Sequence, residues 1–151
     1  GISSELELNN IIVSNSACYC DVDATEIGYD LYQLPKEVLY FHNRDYKNNL
    51  LNRFIKMNLT SVHIGKVASA DTFSFKESNL KEIHSYTKAL CVDMEGAAVA
   101  QTCQRAGVDF ILIKAISNLI GSNKEDYEFT EKTSAVELNT VANIFIGELC
   151  K

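Results

Sequence analysis

Two apolar runs, Ala89-Leu90-Cys91-Val92 and Phe110-Ile111-Leu112-Ile113, flank a stretch of helical periodicity that opens on Gly96-Ala97-Ala98 and stops at Gly107. No other feature limits the fold as much. A strand over Ala89 to Met94, a helix over Glu95 to Arg105 and a strand over Phe110 to Ile116 make a β-α-β unit, and a crossover of this length joins parallel strands. Parallel strands are covered on both faces, which fits the unbroken second run. The first junction reads Asp93-Met94-Glu95, so in an extended segment its two carboxylates share a face, and the small residues after them let the helix pack closely on the sheet. A carboxylate offers only acceptor lone pairs, which makes a sugar diol a natural partner for Glu95. An acid held at a helix N-terminus by the dipole, worth about 0.3–1 kcal/mol, accounts for the same residue without a ligand. Both readings stand on local chemistry. Open parallel sheets bind ligands at the carboxyl ends of their strands, which points to Asp93, Glu95, Ser117 and Asn118.

The rest of the chain continues the alternation. Ile11-Ile12-Val13 opens a strand to about Cys20, Val62 to Val67 reads as another, and Lys76 to Thr87 as a short helix. Leu50, Leu51, Phe54 and Ile55 predict a helix over Asp45 to Met57. A closing amphipathic helix over Thr130 to Cys150 is expected to turn Val136, Val141, Ile144, Phe145 and Leu149 inward. The expectation is a single α/β domain over residues 1–151: a central, mostly parallel twisted sheet flanked by helices. The stretch from Asp21 to Pro35, the only proline, is long for a loop and carries Ile27, Tyr29, Leu31, Tyr32 and Leu34. Such a loop is too apolar for free solvent and is expected to pack on a partner or a ligand.

Composition narrows the function classes. With 46% hydrophobic and 23% charged residues in 151, the chain can bury an ordinary core, and no long uncharged apolar run is available to span a membrane. Nothing at Gly1 resembles a secretion signal, so the cytoplasm is the expected compartment. A net charge of −6 argues against nucleic acid or an anionic membrane as the partner. Cys18, Cys20, Cys91, Cys103 and Cys150 are odd in number and lack paired C-x-x-C spacing, so they read as reduced thiols. Neither a zinc site nor another metal site is expected. His42, His63 and His84 are scattered and read as surface or boundary residues.

The string Cys91-Val92-Asp93-Met94-Glu95-Gly96-Ala97-Ala98-Val99-Ala100-Gln101, followed by Phe110 through Asn118, resembles the methylthioadenosine/S-adenosylhomocysteine nucleosidases of the purine nucleoside phosphorylase superfamily. The likeness continues in order through Asn10 to Ser14, Tyr19, Asp21 to Thr25, Gly28-Tyr29, Gln33-Leu34-Pro35 and Ser69 to Phe73. It implies a nucleoside phosphorylase-like fold and hydrolysis, without a cofactor, of the N-glycosidic bond of a thio-substituted adenosine, releasing adenine. By the resemblance Glu95 holds the ribose hydroxyls and Met94 packs under the sugar, and Asp93, at the same strand end, is expected to bind the substrate with them. Phe73 stacks on adenine, Ser74 reads the purine edge through its backbone, and Ser117 lies beside the base. In the family's homodimer the loop reaches the partner's alkylthio pocket, with Ala24, Ile27, Tyr29 and Pro35 at the equivalent positions. Asp21 and Asp23 read as loop-ordering residues.

Two departures follow from the same comparison. Asn118 stands where the family has the aspartate that protonates purine N7, and an amide has no proton to transfer. Gly1 corresponds to the end of the family's glycine-rich segment, so the N-terminal part of the domain, with the glutamate that activates water, is expected to be missing and to be supplied by a companion segment. Two alternatives therefore stand beside the nucleosidase: a weak or non-catalytic purine nucleoside binder, and a purine nucleoside phosphorylase with altered base preference.

Overall fold

The structure, a computed structural model, describes residues 1–14, 16–43, 61–72, 76–121, 135–136 and 138–147. Among the described residues seven strands form two sheets. The first has the order β4-β1-β7 and the second β3-β2-β5-β6, where β1 is Ile11–Ser14, β2 Ser16–Tyr19, β3 Phe41–His42, β4 Val62–Ile64, β5 Lys66–Ser69, β6 Ala89–Asp93 and β7 Leu112–Ala115. The single strand expected to run from Ile11 thus serves both sheets in turn, and so does the one expected over Val62 to Val67. The pairs β1–β4, β2–β5 and β5–β6 are parallel, whereas β1–β7 and β2–β3 are antiparallel. The architecture is α/β, mostly parallel, and flanked by helices.

Helix α1 (Glu77–Thr87) precedes β6 and α2 (Gly96–Ala106) follows it. A last helix, α3, holds residues 135–136 and 138–147. The expected parallel pairing across α2 is not formed. β7 lies in the other sheet and pairs antiparallel with β1, Ala115 opposite Ile11 and Leu112 opposite Ser14. Its apolar run reported burial correctly, because Leu112 faces one core cluster and Ile113 and Ala115 another. Cover on two faces carries no information about strand direction, and that is where the inference from the run failed.

Alternation along each strand distributes the core. Ile12, Ala17, Val67 and Cys91 point to a cluster that includes Phe41 and is covered by Ala97 and Ala100 of α2. Cys18, Ala68 and Ala89 face Ile83 and Leu80 of α1, and Cys20 joins them, as a shared strand face for the two thiols predicts. Ile11 and Val13 face Val141, Phe145 and Leu138 of α3. Val136 is the exception to the expected inward stripe, being 69% exposed. Residues 138, 141 and 145 define the buried face at helical spacing, and position 136 falls on the opposite side. Ile144 is half-buried. The helix expected over Asp45 to Met57 and the inward Leu149 lie outside the described residues.

The two sheets meet where β4 gives way to β5. Gly65 is needed there because a Cβ would sit 2.4 Å from Leu90 Cδ1, and Leu90 fills the joint. At the other end of α2, Gly107 adopts φ +69 and closes the helix, with its N–H donating to Gln104 O, as the stop signal predicts.

Candidate active site at the carboxyl ends of the strands

β2, β5 and β6 end together, with Tyr19 opposite Ser69 and Ser69 opposite Asp93. The chain leaves β6 at Asp93, bends through Met94 and enters α2 at Gly96. Glu95 occupies the N-cap position, φ −131 and ψ −28, and its side chain makes no capping bond. Two groups from the strand ends take over that work. The Gly96 N–H donates to both oxygens of Asp93 at 3.1 and 3.0 Å, and the Ala97 N–H donates to Ser69 Oγ at 2.8 Å. Ser69 Oγ in turn donates to Asp93 Oδ1 at 2.5 Å. The first free amides of the helix are thereby satisfied from outside it, which frees the usual N-cap side chain.

The two carboxylates therefore part company. The Asp93 side chain is only 7% exposed and that of Glu95 69%. An extended segment would have put both on one face, but the strand stops at Asp93 and Glu95 belongs to the turn. They meet again at Lys114 of β7, whose Nζ lies 2.8 Å from Asp93 Oδ2 and 3.4 Å from Glu95 Oε2. Burial pulls the Lys114 ammonium toward the neutral form, but the Asp93 hydrogen bond and charge and the Glu95 carboxylate outweigh it. The net effect holds its pKa above the ordinary value, and the group is a cation at neutral pH.

Met94, 43% exposed, forms part of the wall of a cavity of about 320 Å³. Its other walls include Tyr19, Ser69, Asp21, Asp71, Val22 and Leu34, so the stretch from Asp21 to Pro35 folds over the strand ends. That stretch contains one 3-10 turn, Thr25–Ile27, and is fixed at both ends. Asp21 Oδ2 accepts from the Asp71 N–H at 2.7 Å, Asp23 Oδ1 accepts from the Thr25 N–H and hydroxyl, and beyond the loop Glu37 pairs with Arg105 of α2. Asp21 and Asp23 do order the loop. Its apolar side chains divide. Tyr32 packs edge-on against Tyr86 of α1, centroids 5.4 Å apart. Ile27 is 70% exposed, Pro35 is exposed and Tyr29 half-buried.

Ser117 and Asn118 leave β7 beyond the amino end of β1. Ser117 is half-buried and Asn118 exposed, and the Asn118 carbonyl accepts from the Gly1 ammonium at 2.5 Å. The neighbouring Ile2 N–H donates to Leu90 O, which puts this segment beside the start of β6. A second cavity of about 530 Å³ opens next to it, lined in part by Ser3, Leu6, Lys81, His84 and Leu119. Among the described residues no hydrogen bond joins Ser117 or Asn118 to Glu95. Lys114, four residues before Asn118, is the side chain that ties β7 to the Glu95 turn. Phe73 and Ser74 lie outside the described residues.

Ser69 and Lys114 are the members of this arrangement that sequence reasoning passed over as site residues. Both stood in the quoted strings, but a serine and a lysine at strand positions carry no spacing signal. Only the register that aligns β5 with β6, and the reach of β7 across the turn, brings them together. Among the described residues no group of three or more His, Cys, Asp and Glu side chains could hold a metal ion.

The chain is similar to known proteins over most of its length. The 5'-methylthioadenosine/S-adenosylhomocysteine nucleosidase of Staphylococcus haemolyticus is 32% identical over 131 residues, covering 86% of this chain and 57% of its own length. The enzyme of that name from Halalkalibacterium halodurans is 30% identical over 152 residues, covering 99% and 65%. A solved nucleosidase of this type from Colwellia psychrerythraea, in complex with adenine, superposes with a TM-score of 0.83 at 27% identity, covering 97% of this chain and 62% of that one. The chain thus spans about three-fifths of the length of these relatives. The family model described as the phosphorylase superfamily matches residues 1–147, nearly from end to end, and the chain belongs to that superfamily.

Proposed function

We propose that this chain is the larger part of a purine nucleoside N-glycosidase that hydrolyses 5'-methylthioadenosine and S-adenosylhomocysteine to release adenine. The single observation that carries the reading is the Glu95 turn. A carboxylate relieved of capping duty stands exposed at the carboxyl ends of three parallel strands, beside Met94 and the cationic Lys114. Two acceptor oxygens there suit the 2'- and 3'-hydroxyls of a ribose. In the reaction the C1'–N9 bond breaks with its electron pair passing to the purine, the sugar passes through an oxocarbenium-like state, a water oxygen bonds to C1', and the proton that this water loses reaches the departing adenine through solvent. Glu95 fixes the sugar, Met94 packs beneath it, and Ser117 lies beside the base. Ile27, Tyr29 and Pro35 reach a second copy of the chain in a homodimer, where the 70% exposure of Ile27 ends. A companion N-terminal segment supplies the group that activates water.

Asn118 favours a second reading, a purine nucleoside binder of low catalytic power. The resemblance assigns its position to the acid that protonates the leaving purine, and an amide there donates a hydrogen bond without transferring a proton. Absence of a positioned acid costs about 10²–10⁴ in rate.

One set of measurements separates these readings. Adenine release is followed with and without phosphate, for the protein as it stands and for Asn118→Asp, and calorimetry compares nucleoside affinity before and after Glu95→Ala. Hydrolysis independent of phosphate and raised by Asn118→Asp is the expected outcome. Binding without turnover in either form leaves the binder, and strict dependence on phosphate identifies a phosphorylase. Affinity unchanged by Glu95→Ala would remove the ribose role and with it the functional reading.

A further inference from the structure

Both oxygens of Asp93 are engaged within the fold, so the side chain expected to bind substrate is committed to its own neighbours. Its Oδ1 takes the Ser69 hydroxyl and the Gly96 N–H, and its Oδ2 takes the Gly96 N–H and the Lys114 ammonium. Its side chain is 7% exposed, and every one of these partners belongs to a different part of the fold: the end of β5, the start of α2 and the middle of β7. The Cβ that Gly96 lacks would lie 2.8 Å from Asp93 Oδ2, so the carboxylate fits against the helix entrance only because that residue is glycine.

We propose that Asp93 and Ser69 act as a positioning pair, which fixes the α2 entrance and the Lys114 ammonium so that the Glu95 carboxylate alone is presented to the sugar of a nucleoside. The inference rests on the functional reading above and assigns Asp93 a different task from the neighbouring acid. If Asp93 did not cap Gly96, Glu95 at the N-cap would be the nearest carboxylate able to do so, and its oxygens would fold back onto the helix. If Asp93 did not hold Lys114, the ammonium would be free to close on Glu95 and mask the acceptors a diol needs. One buried carboxylate prevents both. Ser69 completes the arrangement by orienting Asp93 Oδ1 while it receives the Ala97 N–H.

The test uses the full chain and two ligands, 5'-methylthioadenosine and free adenine, titrated calorimetrically against the unmutated protein, Asp93→Asn, Ser69→Ala and Ser69→Thr. Loss of a hydrogen bond to a charged group corresponds to roughly tenfold to a hundredfold in an equilibrium constant. Asp93→Asn and Ser69→Ala are expected to weaken the nucleoside by about that factor and leave adenine within twofold, because only the nucleoside carries the sugar. Ser69→Thr, which keeps the hydroxyl, restores the affinity that Ser69→Ala loses. A purely structural lesion would weaken both ligands alike, so parallel losses, or unaltered nucleoside affinity in Asp93→Asn, overturn the positioning role and leave the functional reading standing. Absence of nucleoside binding by the unmutated protein overturns the functional reading itself. If Asp93→Asn fails to fold, Ser69→Ala and its threonine rescue decide the matter.

Discussion

Gly96→Ala is the sharpest probe of the helix entrance, because two known effects oppose each other there. Exchanging glycine for alanine inside a helix stabilises it by up to about 1 kcal/mol, and Gly96 needs no positive φ that alanine would resist. Against that gain, the added methyl would meet Asp93 Oδ2 at 2.8 Å, Leu112 Cδ1 at 3.1 Å and Asp93 Oδ1 at 3.2 Å. An aspartate is a short side chain, and this one is tied to Ser69 and Lys114, so it can retreat only by stretching hydrogen bonds to a charged acceptor. One such bond is worth about 1.5–3 kcal/mol. The net expectation is destabilisation by about 0.5–2 kcal/mol, or a fall of about 1–8 °C in Tm for a chain of this size. Thermal melts and urea transitions measure it, with an unaltered urea slope as the sign that the unfolded state has not changed. A variant that melts at or above the parent temperature would mean that the carboxylate is not pinned, and the account of the helix entrance would have to be abandoned. Gly107→Ala is the complementary control. Nothing lies within 4 Å of its missing Cβ, so a loss of roughly 1–2 kcal/mol there reports the strain of φ +69 alone.

Gly65→Ala, whose methyl would fall 2.4 Å from Leu90 Cδ1 at the joint between the sheets, is expected to cost about 1–3 kcal/mol, and Leu90→Val in the same chain should recover part of it. Breaking the Glu37–Arg105 pair with Arg105→Gln should leave the urea midpoint close to that of the parent, since the arginine is 69% exposed, and a marked fall in the midpoint would show that the loop depends on the pair. Burial pushes the Cys18 thiol up to about 11 and those of Cys20 and Cys91 to about 12 from an ordinary 9. Because these folded-state values are raised, their stabilising contribution is complete below pH 9 and drains away as pH climbs toward 12, where the unfolded chain has already ionised. Urea midpoints that stay flat between pH 9 and 11 would contradict this. Among the described thiols, half-buried Cys103 should react first with a disulfide reagent at pH 8, and faster labelling of Cys18 would contradict the packing.

Much of the fold was legible because the signals were local. Gly107 at the end of α2 and the 3.6-residue periods of α1 and α2 act within a few residues, and those elements fall within one or two residues of expectation. Direction and partnership of strands are set by contacts far apart in sequence, which is why the antiparallel seating of β7 on β1 escaped. The site shows the same division. The pair Asp93 and Glu95 announced itself, but its meaning depended on where the strand stopped. Two residues of further extension, through Glu95, would have put both carboxylates on one face; ending at Asp93 buries one and exposes the other. Val136 was misjudged for a simpler reason, that a valine in a helical segment satisfies an apolar stripe only if its phase matches, and here it is on the far side.

Strands β1 and β2 are separated by one residue and β4 and β5 by another, so the same two runs of backbone are stitched through both sheets. A ladder laced in this way cannot come undone on one side while the other stays intact. Amides of Val13 and of Cys18, one in each sheet, should therefore surrender deuterium through a common opening event, and damage to either half is inherited by its neighbour.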